Sequence, residues 1–270
     1  MRRSLLLVRS NLRKAKGQTA AIFILILLAG MMLNLWLMLS LDYRQNLERC
    51  HDRLNAEHVT MVVDKNSSEV RKFLTDTLES RAETTDFSLD DAMYTIGSFA
   101  SKGGEINSEF VILQKTAAVS RSVGRVEILE DSDLKSGVYL PILYKSKDIA
   151  IGKTVEISMG IHKVPYTVCG FFNSAMAGSH NCGMLAIVLT QDKYNDLEKA
   201  GYAPESTLCS VRLKDKSESE NYEAALKNEL AQKYPDLHTV SNSYTLVAQS
   251  RFISQMVCSG IISAMAFFVL

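Results

Sequence analysis

Two apolar segments without a single charge lie near the ends of the 270-residue chain. Residues 19–41 and 252–270 contain no Lys, Arg, Asp or Glu. As α-helices they would extend about 34 and 28 Å at about 1.5 Å per residue, against a bilayer hydrocarbon core of about 30 Å. The sequence therefore predicts a transmembrane helix over 19–41 and a second one, truncated at its end, over 252–270.

The charges that precede the first apolar segment predict its orientation. Residues 1–18 form a basic tail, and the residues that determine the topology are Arg2, Arg3, Arg9, Arg13, Lys14 and Lys16. Basic flanks of this kind stay in the cytoplasm, so residues 42–251 are expected outside. A cleaved signal peptide is the alternative, but its apolar region should be about 7–15 residues long and end at small residues. The longer segment here favours an uncleaved anchor.

The segment between the two apolar stretches is acidic. It holds all 30 acidic residues and 24 of the 30 Lys and Arg, which gives it a net charge of −6. Nucleic-acid binding needs a basic face that displaces counterions, so this charge excludes a nucleic-acid partner.

The hydrophobic pattern predicts that this acidic segment is an extracytoplasmic α+β domain over 58–240. Leu41, Leu47 and Leu54 keep an apolar stripe at helical spacing, which predicts a stalk helix over 42–57. Residues 241–251 are interpreted as a second stalk or linker. The domain between them is either one compact unit or two lobes divided around residues 85–137.

No arrangement of residues predicts a catalytic, cofactor-binding or metal-binding site. Gly152-Lys-Thr154 ends like a phosphate-binding loop, but Lys147 occupies the place of the first glycine, and a strand pattern follows instead of a helix. The five histidines show no pairing at i+3 or i+4 that would indicate zinc ligands. Asn173–Gly183 is rich in small and polar residues, and it is interpreted as a contact loop or as an ordinary surface connection.

Four cysteines lie in the extracytoplasmic segment: Cys50, Cys169, Cys182 and Cys209. Free buried thiols are expected, because a domain of this length can bury a core without disulfides. A Cys169–Cys182 disulfide is the alternative, since extracytoplasmic domains are permitted them.

Small residues recur at four-residue spacing inside both predicted spans. Gly30 and Asn34 form one such pair, and Gly260 and Ala264 form the other. Small side chains let helices approach closely, and an intramembrane Asn can hydrogen-bond to a neighbouring helix. These four residues are the predicted helix-packing positions.

Five short stretches follow one another in an order that is typical of one transporter family. Asn11–Thr19 reads Asn-Leu-Arg-Lys-Ala-Lys-Gly-Gln-Thr and stands directly before the first span. Val138–Leu143, Ile151–Ile157 and Tyr166–Phe172 follow, with Gly-x-x-Val entering one strand and Val-x-Gly closing another, and Leu189–Leu197 comes next. Together they resemble the N-terminal part of the permease subunits of FtsX/MacB-type ABC transporters.

The resemblance implies a first span, a MacB-like periplasmic-core-type α+β domain, a second span and then further spans, in the plasma membrane of a bacterium. It implies a subunit that is not an enzyme and binds no cofactor, because a separate cytoplasmic ABC ATPase subunit binds the ATP. Such a permease transmits ATP-driven motion to its outer domain, which acts on lipids, lipoproteins, peptides or toxic compounds. The expected partners are the ATPase, a second permease copy or a partner permease half, and membrane lipid.

Two questions stay open at this stage. The chain stops at Leu270 without a cytoplasmic flank, so a fragment, a truncated reading frame and one half of a split permease are all consistent with the sequence. The alternative function is the extracellular sensory domain of a two-span receptor or histidine kinase, which shares the same order of tail, span, outer domain and span.

Overall fold

The computed structural model describes residues 16–250 and, beyond them, residues 252, 253, 257 and 260. Two compact units are present: Met1–Asn46 together with Phe252–Leu270, and Leu47–Arg251, which is called the outer unit below. Some predictions fall outside the described residues: those for Arg2, Arg3, Arg9, Arg13, Lys14 and Ala264, and those for most of the second span.

The first helix, α1, comprises Lys16–Arg53. Its stretch Ala20–Met38 has a mean hydropathy of 2.4 and no buried residues, and it is the one helix in the described part of the chain that is long and apolar enough to cross a membrane. Within α1 the Asn34 side-chain amide donates to the Gly30 carbonyl oxygen at 3.1 Å. A role of these two residues in packing against another helix stays a prediction.

The described residues of the outer unit form one ten-stranded sheet, four α-helices between its strands and a helical stretch after β10. The strands in chain order are β1 (Val59–Val63), β2 (Thr84–Ser101), β3 (Gly104–Gln114), β4 (Glu127–Glu130), β5 (Val138–Pro141), β6 (Thr154–Met159), β7 (His162–Asn173), β8 (Met184–Leu189), β9 (Glu205–Leu213) and β10 (Thr239–Ser243). The helices are α2 (Ser68–Ser80), α3 (Lys115–Ser120), α4 (Gln191–Ala200) and α5 (Ser219–Lys233). Residues 244–250, which follow β10, are also helical. The predicted α+β class is confirmed.

One half of the outer unit is a split βαβ arrangement. Strands β10, β1, β9 and β2 lie side by side in that order, and every neighbouring pair is antiparallel. The chain order β1-α2-β2 and then β9-α5-β10 is that of a split βαβ unit. Helices α2 and α5 bury their apolar faces on this part of the sheet. Their buried contacts are Val70, Leu74, Leu78, Tyr222, Leu226 and Leu230 against Val59, Met61, Val63, Cys209 and Val211.

The other half of the outer unit is a closed ring of six strands. The pairs β2–β3, β3–β8, β8–β5, β5–β7 and β7–β6 lead around the ring, and β6 closes it by pairing with β2. Strand β2 belongs to both halves, because it pairs with β9 up to Met93 and with β6 from Gly97 onward. Phe99, Phe110 and Phe171 are among the large side chains buried in the ring. The two halves therefore share a strand, and residues 47–251 form one compact unit.

Gly97 stands at the seam where β2 meets β6. A Cβ atom there would lie 2.3 Å from the Ser158 carbonyl oxygen and 2.5 Å from the Phe110 ring. Gly97→Ala is therefore expected to lower the free energy of unfolding by about 1–3 kcal/mol, because the seam must open to accept the methyl group. Gly103→Ala in the β2–β3 turn is the matched control, since a Cβ there meets nothing within 4 Å. Equal urea midpoints for the two variants would contradict a tightly closed ring.

Candidate functional site

The two chain segments by which the outer unit continues toward residues 46 and 251 enter it at the same end of the sheet. Strand β1 begins opposite the end of β10, with Val59 paired to Ser243. The Tyr244 N–H donates to the His58 carbonyl oxygen at 2.7 Å and so extends this pairing by one step. Residues 47–58 lead into β1, and residues 244–250 lead away from β10. We call these two segments, with the side chains that hold them, the joint.

Helix α1 ends inside the joint, and a left-handed residue turns the chain toward β1. The Leu54 N–H bonds the Cys50 carbonyl oxygen at 3.1 Å, and Asn55 has φ of +45°. Asn tolerates this conformation better than other residues with a Cβ atom, which is why it commonly ends helices. Its side chain also donates to the Ser122 carbonyl oxygen at 2.7 Å. The predicted stalk over 42–57 is thus helical as far as Arg53 and then turns.

Three ion pairs fasten the end of α1 to the sheet. They join Glu48 to Lys216 at 3.1 Å, Asp52 to Arg212 at 3.0 Å, and Arg53 to Glu127 at 2.8 Å. Each pair is partly exposed and contributes at most about 1 kcal/mol. Arg212 also donates to the Ala56 carbonyl oxygen at 2.9 Å, so its guanidinium holds both the helix and the turn that follows it. The pairs contact both halves of the outer unit, because Arg212 lies on β9 and Glu127 lies on β4, the strand that pairs with the ring strand β7 on its outer side in the sheet order.

Two histidines are buried against each other at the centre of the joint. The rings of His51 and His58 stack in parallel planes with centroids 4.8 Å apart, and Tyr244 meets both rings edge-on. His51 Nε2 donates to the Glu57 carbonyl oxygen at 2.9 Å. His58 Nδ1 accepts the Leu213 N–H at 2.9 Å, so this nitrogen carries no proton. The pair ties the end of α1, the start of β1 and the residue after β10 into one contact.

The environment of the histidines keeps both rings neutral. Burial lowers the pKa of His58 to about 3, with further lowering by the neighbouring His51, Arg212 and Lys216. Burial also lowers the pKa of His51, while its bond to the Glu57 carbonyl opposes that shift. A second proton on His58 would have to sit on Nδ1, where it would face the Leu213 N–H. The joint is therefore built around two uncharged imidazoles.

Acid should weaken the outer unit through this pair. An unfolded histidine has a pKa of about 6.5, so the folded state binds fewer protons than the unfolded state between about pH 6.5 and pH 3. The contribution of His58 is complete above about pH 6.5 and falls as the pH drops, by up to about 1.4 kcal/mol per pH unit. Urea titrations between pH 7 and pH 4 should give a shallower pH dependence for His58→Gln than for the unaltered chain. Equal slopes for His58→Gln and the unaltered chain would contradict the prediction.

The loop that follows β7 contacts both segments of the joint. In this β7–β8 loop, residues 174–183, Ala175 packs against Leu54 and Ala56 of the first segment. Met176 and Cys182 pack against Val247 of the second segment. Most of the loop is half-buried or buried, so it is a packed contact element and not an ordinary surface connection.

Hydrogen bonds at both ends of the loop accompany this apolar packing. The Asn173 side-chain amide donates to Cys50 Sγ at 3.4 Å, and Ser250 Oγ donates to the Asn181 carbonyl oxygen at 2.8 Å. Asn242 of β10 donates to the Cys182 carbonyl oxygen. The loop is thus bonded to the first segment where it begins and to the second segment near its end.

The remaining predicted residues lie at scattered places. Leu41 is exposed on α1, Leu47 is half-buried, and Leu54 is buried in the joint. The three residues of the predicted stripe therefore differ in solvent exposure. Gly152 precedes β6, as the strand pattern predicted, and no helix begins there. Within the described residues no group of three or more His, Cys, Asp or Glu side chains could hold a metal ion.

The four cysteines of the outer unit form no disulfide. Cys169, Cys182 and Cys209 are buried and Cys50 is half-buried. Burial raises the pKa of Cys209 to about 12 and raises that of Cys169 as well, which makes both weak nucleophiles. The disulfide between Cys169 and Cys182 is absent from this structure.

The histidine pair was not predicted from the sequence. A search for partners at i+3 and i+4 misses His51 and His58, because they stand seven positions apart with a turn between them. The available indication was position: one histidine lies near the end of a long helix, and the other lies directly before a β-branched strand.

Comparisons with known proteins give matches among solved structures. No protein-family model matches the chain, and a search of curated proteins also finds no match. The periplasmic region of MacB from Actinobacillus actinomycetemcomitans is 12% identical, with a TM-score of 0.31, over 74% of this chain and 92% of that one. The extracellular domain of the noncanonic ABC-type transporter YknZ from Gram-positive bacteria is 8% identical, with a TM-score of 0.30, over 67% of this chain and 99% of that one.

A third match is a domain assigned to a permease protein of Porphyromonas gingivalis. It is 10% identical, with a TM-score of 0.32, over 70% of this chain and 92% of that one.

Proposed function

We propose that this chain is the N-terminal portion of a permease subunit of an FtsX/MacB-type ABC transporter, whose membrane helices move the outer unit. The observation that carries the proposal is the joint. Both connecting segments are fastened at one end of one sheet, by ion pairs, by the stacked histidines and by the β7–β8 loop. A displacement of either segment must therefore displace the strands to which it is bound.

In this proposal another subunit binds and hydrolyses the ATP. The sequence has no phosphate-binding loop pattern. Residues 1–18 would be a basic cytoplasmic flank. An ABC ATPase subunit would act on this flank and on later parts of the permease. The apolar stretch Ala20–Met38 would cross the membrane and reach membrane lipid along its length. A second copy of the chain, or a partner permease half, would complete the bundle of spans.

The outer unit would act on its substrate by moving and not by catalysing a reaction. Exposed large apolar side chains outside α1 occur mainly on the ring half and its connections, at Ile96, Leu129, Leu134, Leu143, Ile151 and Ile161. In this proposal these side chains would contact the substrate classes expected for such a permease, which are lipids, lipoproteins, peptides or toxic compounds. The net charge of −6 argues against a nucleic acid among these substrates.

Purification of the full-length gene product tests the proposal. In mild detergent an ABC ATPase subunit should copurify with it, and the ATP hydrolysis of the complex should depend on both proteins. Lys14→Glu/Lys16→Glu, which reverses two charges of the basic tail, should disturb insertion and lower the yield of complex. If the intact protein brings down no nucleotide-binding subunit, the proposal fails.

A sensory domain is the second candidate, and a cleft in the ring favours it. Beyond Phe99 the seam between β2 and β6 opens into a cleft of about 280 Å³, lined by Glu105, Asp148, Glu156 and Lys163 over an apolar floor of Phe99 and Ile149. A small amphiphilic ligand would fit such a volume. A signalling linker and kinase after the second span of the full-length gene product, with no copurifying ATPase, would favour this candidate over the permease.

A further inference from the structure

The strands that receive the connecting segments do not pair with any strand of the ring. Strands β1 and β10 lie at one end of the sheet order, and β9 separates them from β2, the strand that the ring shares with the split βαβ half. A displacement that passed through the sheet alone would have to pass through β9 and then β2. The β7–β8 loop offers a direct route, because it joins two ring strands and packs on the joint itself.

We infer that the β7–β8 loop is a relay that carries displacement of the two connecting segments into the six-stranded ring, an inference that rests on the proposed function. The relay has one contact surface for each segment. Ala175 meets Leu54 and Ala56 on the first segment, whereas Met176 and Cys182 meet Val247 on the second. These residues position the ring relative to the joint, and none of them needs to touch a substrate.

The loop is built to transmit movement and not merely to cover the joint. It is anchored in the ring by continuity with β7 and β8, and the Ala186 N–H of β8 donates back to the Ala177 carbonyl oxygen at 2.9 Å. Ala177 N–H in turn donates to Ser174 Oγ at 3.2 Å, which closes a turn inside the loop. We expect a loop with internal hydrogen bonds and buried side chains to move as a unit. A shift at Val247 would then displace β8, because the loop backbone would not deform in its place.

Residues 122–127 form a second contact between the ring half and the joint, and they differ from the loop in one respect. The Gly124 N–H donates to the Asn55 carbonyl oxygen at 2.9 Å, and Glu127 pairs with Arg53. Both of these bonds go to the first connecting segment. The loop bonds to both segments, so it can respond to a change in their separation.

The first test needs no partner subunit. It measures hydrogen–deuterium exchange of the full-length protein in detergent. Val247→Ala removes two methyl groups from a site that is 2% exposed, and Leu246→Ala truncates the neighbouring residue, which is 42% exposed. We expect Val247→Ala to speed amide exchange several-fold in residues 174–189 and in residues 50–56, with exchange in α2 unchanged. Leu246→Ala should change none of these regions. An effect confined to residues 244–250, or an equal rise in α2, overturns the relay whether or not an ATPase partner exists.

The assembled transporter provides the second test. Spin labels at Ile161→Cys on the ring and Lys72→Cys on α2 report the separation of the two halves, and both native side chains are exposed. In the unaltered complex this distance should change when Mg-ATP is added. In Ala175→Ser/Met176→Ser the distance should no longer change, although the ATPase rate stays within about twofold of the unaltered complex.

The two tests separate the relay from the proposed function. A retained distance change in Ala175→Ser/Met176→Ser overturns the relay and supports the permease. Failure of any ATPase to bind, combined with long-range exchange effects of Val247→Ala, overturns the permease and supports the relay as a property of this fold.

Discussion

Replacing Arg121 with methionine is expected to lower the free energy of unfolding by about 3–5 kcal/mol. Arg121 follows α3 and its side chain is 4% exposed. Its guanidinium bonds Asp90 Oδ2 at 2.8 Å and the Gly124 carbonyl oxygen at 2.9 Å, and it also donates to Ser210 Oγ. Methionine has a similar volume but leaves the Asp90 carboxylate without its cation in a poorly hydrated place. The loss of that partner, and not of packing, is the source of the effect.

The position of Arg121 explains why the loss should also affect the joint. Asp90 lies on β2 and Ser210 on β9, both in the split βαβ half, whereas Gly124 bonds Asn55 at the end of the first connecting segment. The Arg121 side chain therefore joins the sheet to the turn that follows α1. Increased protease sensitivity near residues 121–126 should accompany the lower stability of Arg121→Met.

Arg71→Met is the matched control for this prediction. Arg71 pairs with Asp91, the residue after Asp90, but the two side chains are 28% and 70% exposed. Water can solvate the remaining carboxylate, so the expected loss is about 1 kcal/mol or less. Chemical unfolding of the full chain in detergent, followed by circular dichroism, measures both variants.

A double variant separates the electrostatic cause from a structural one. In Arg121→Met/Asp90→Leu the unpaired carboxylate is gone, so part of the lost stability should return. A double variant no more stable than Arg121→Met would mean that the bonds to Gly124 and Ser210, and not the ion pair, fix this region.

The strands with strong apolar patterns could be predicted from the sequence, because burial on both faces leaves little choice of residue. The apolar run Met184–Leu189 predicts a buried strand, and β8 has these bounds with all of its residues buried. Ser67 predicts a helix N-cap, and α2 begins after it, with Ser67 Oγ accepting the Val70 N–H. The pattern predicts only the part Ala92–Ser98 of strand β2, because the first part, Thr84–Asp91, holds three aspartates that are unfavourable in strands. Pairing with β9 over this stretch outweighs that local preference.

The closure of the ring and the joint could not be predicted, because both depend on contacts between distant parts of the chain. Gly97 meets Ser158 across the β2–β6 seam, and no local pattern indicates that pairing. The Asn173–Gly183 segment was open to two interpretations because small polar residues suit a packed loop and an exposed loop equally. Its burial depends on Leu54 and Val247, which lie far away in sequence on either side.

Leu54→Ala is expected to lower the free energy of unfolding of the outer unit by about 2–5 kcal/mol. Leu54 is 2% exposed and packs against Ala56 and, across the joint, Ala175. Two of its neighbours are alanines, which cannot reach into the space that the missing isobutyl group would leave. The cavity should therefore persist, and the cost should lie in the upper part of this range. Urea unfolding of the full chain in detergent is the measurement.

Leu47→Ala distinguishes a stalk effect from a joint effect. Both leucines belong to the apolar stripe at the end of α1, but Leu47 is only half-buried, so its truncation should cost less than half as much. Equal losses would mean that the stripe acts as one helical surface, as its spacing predicted. A large loss at Leu54 alone would mean that the last turn is held by the β7–β8 loop. In that case Leu54 and Ala175 form a packed contact through which a shift of the first connecting segment would act on the β7–β8 loop.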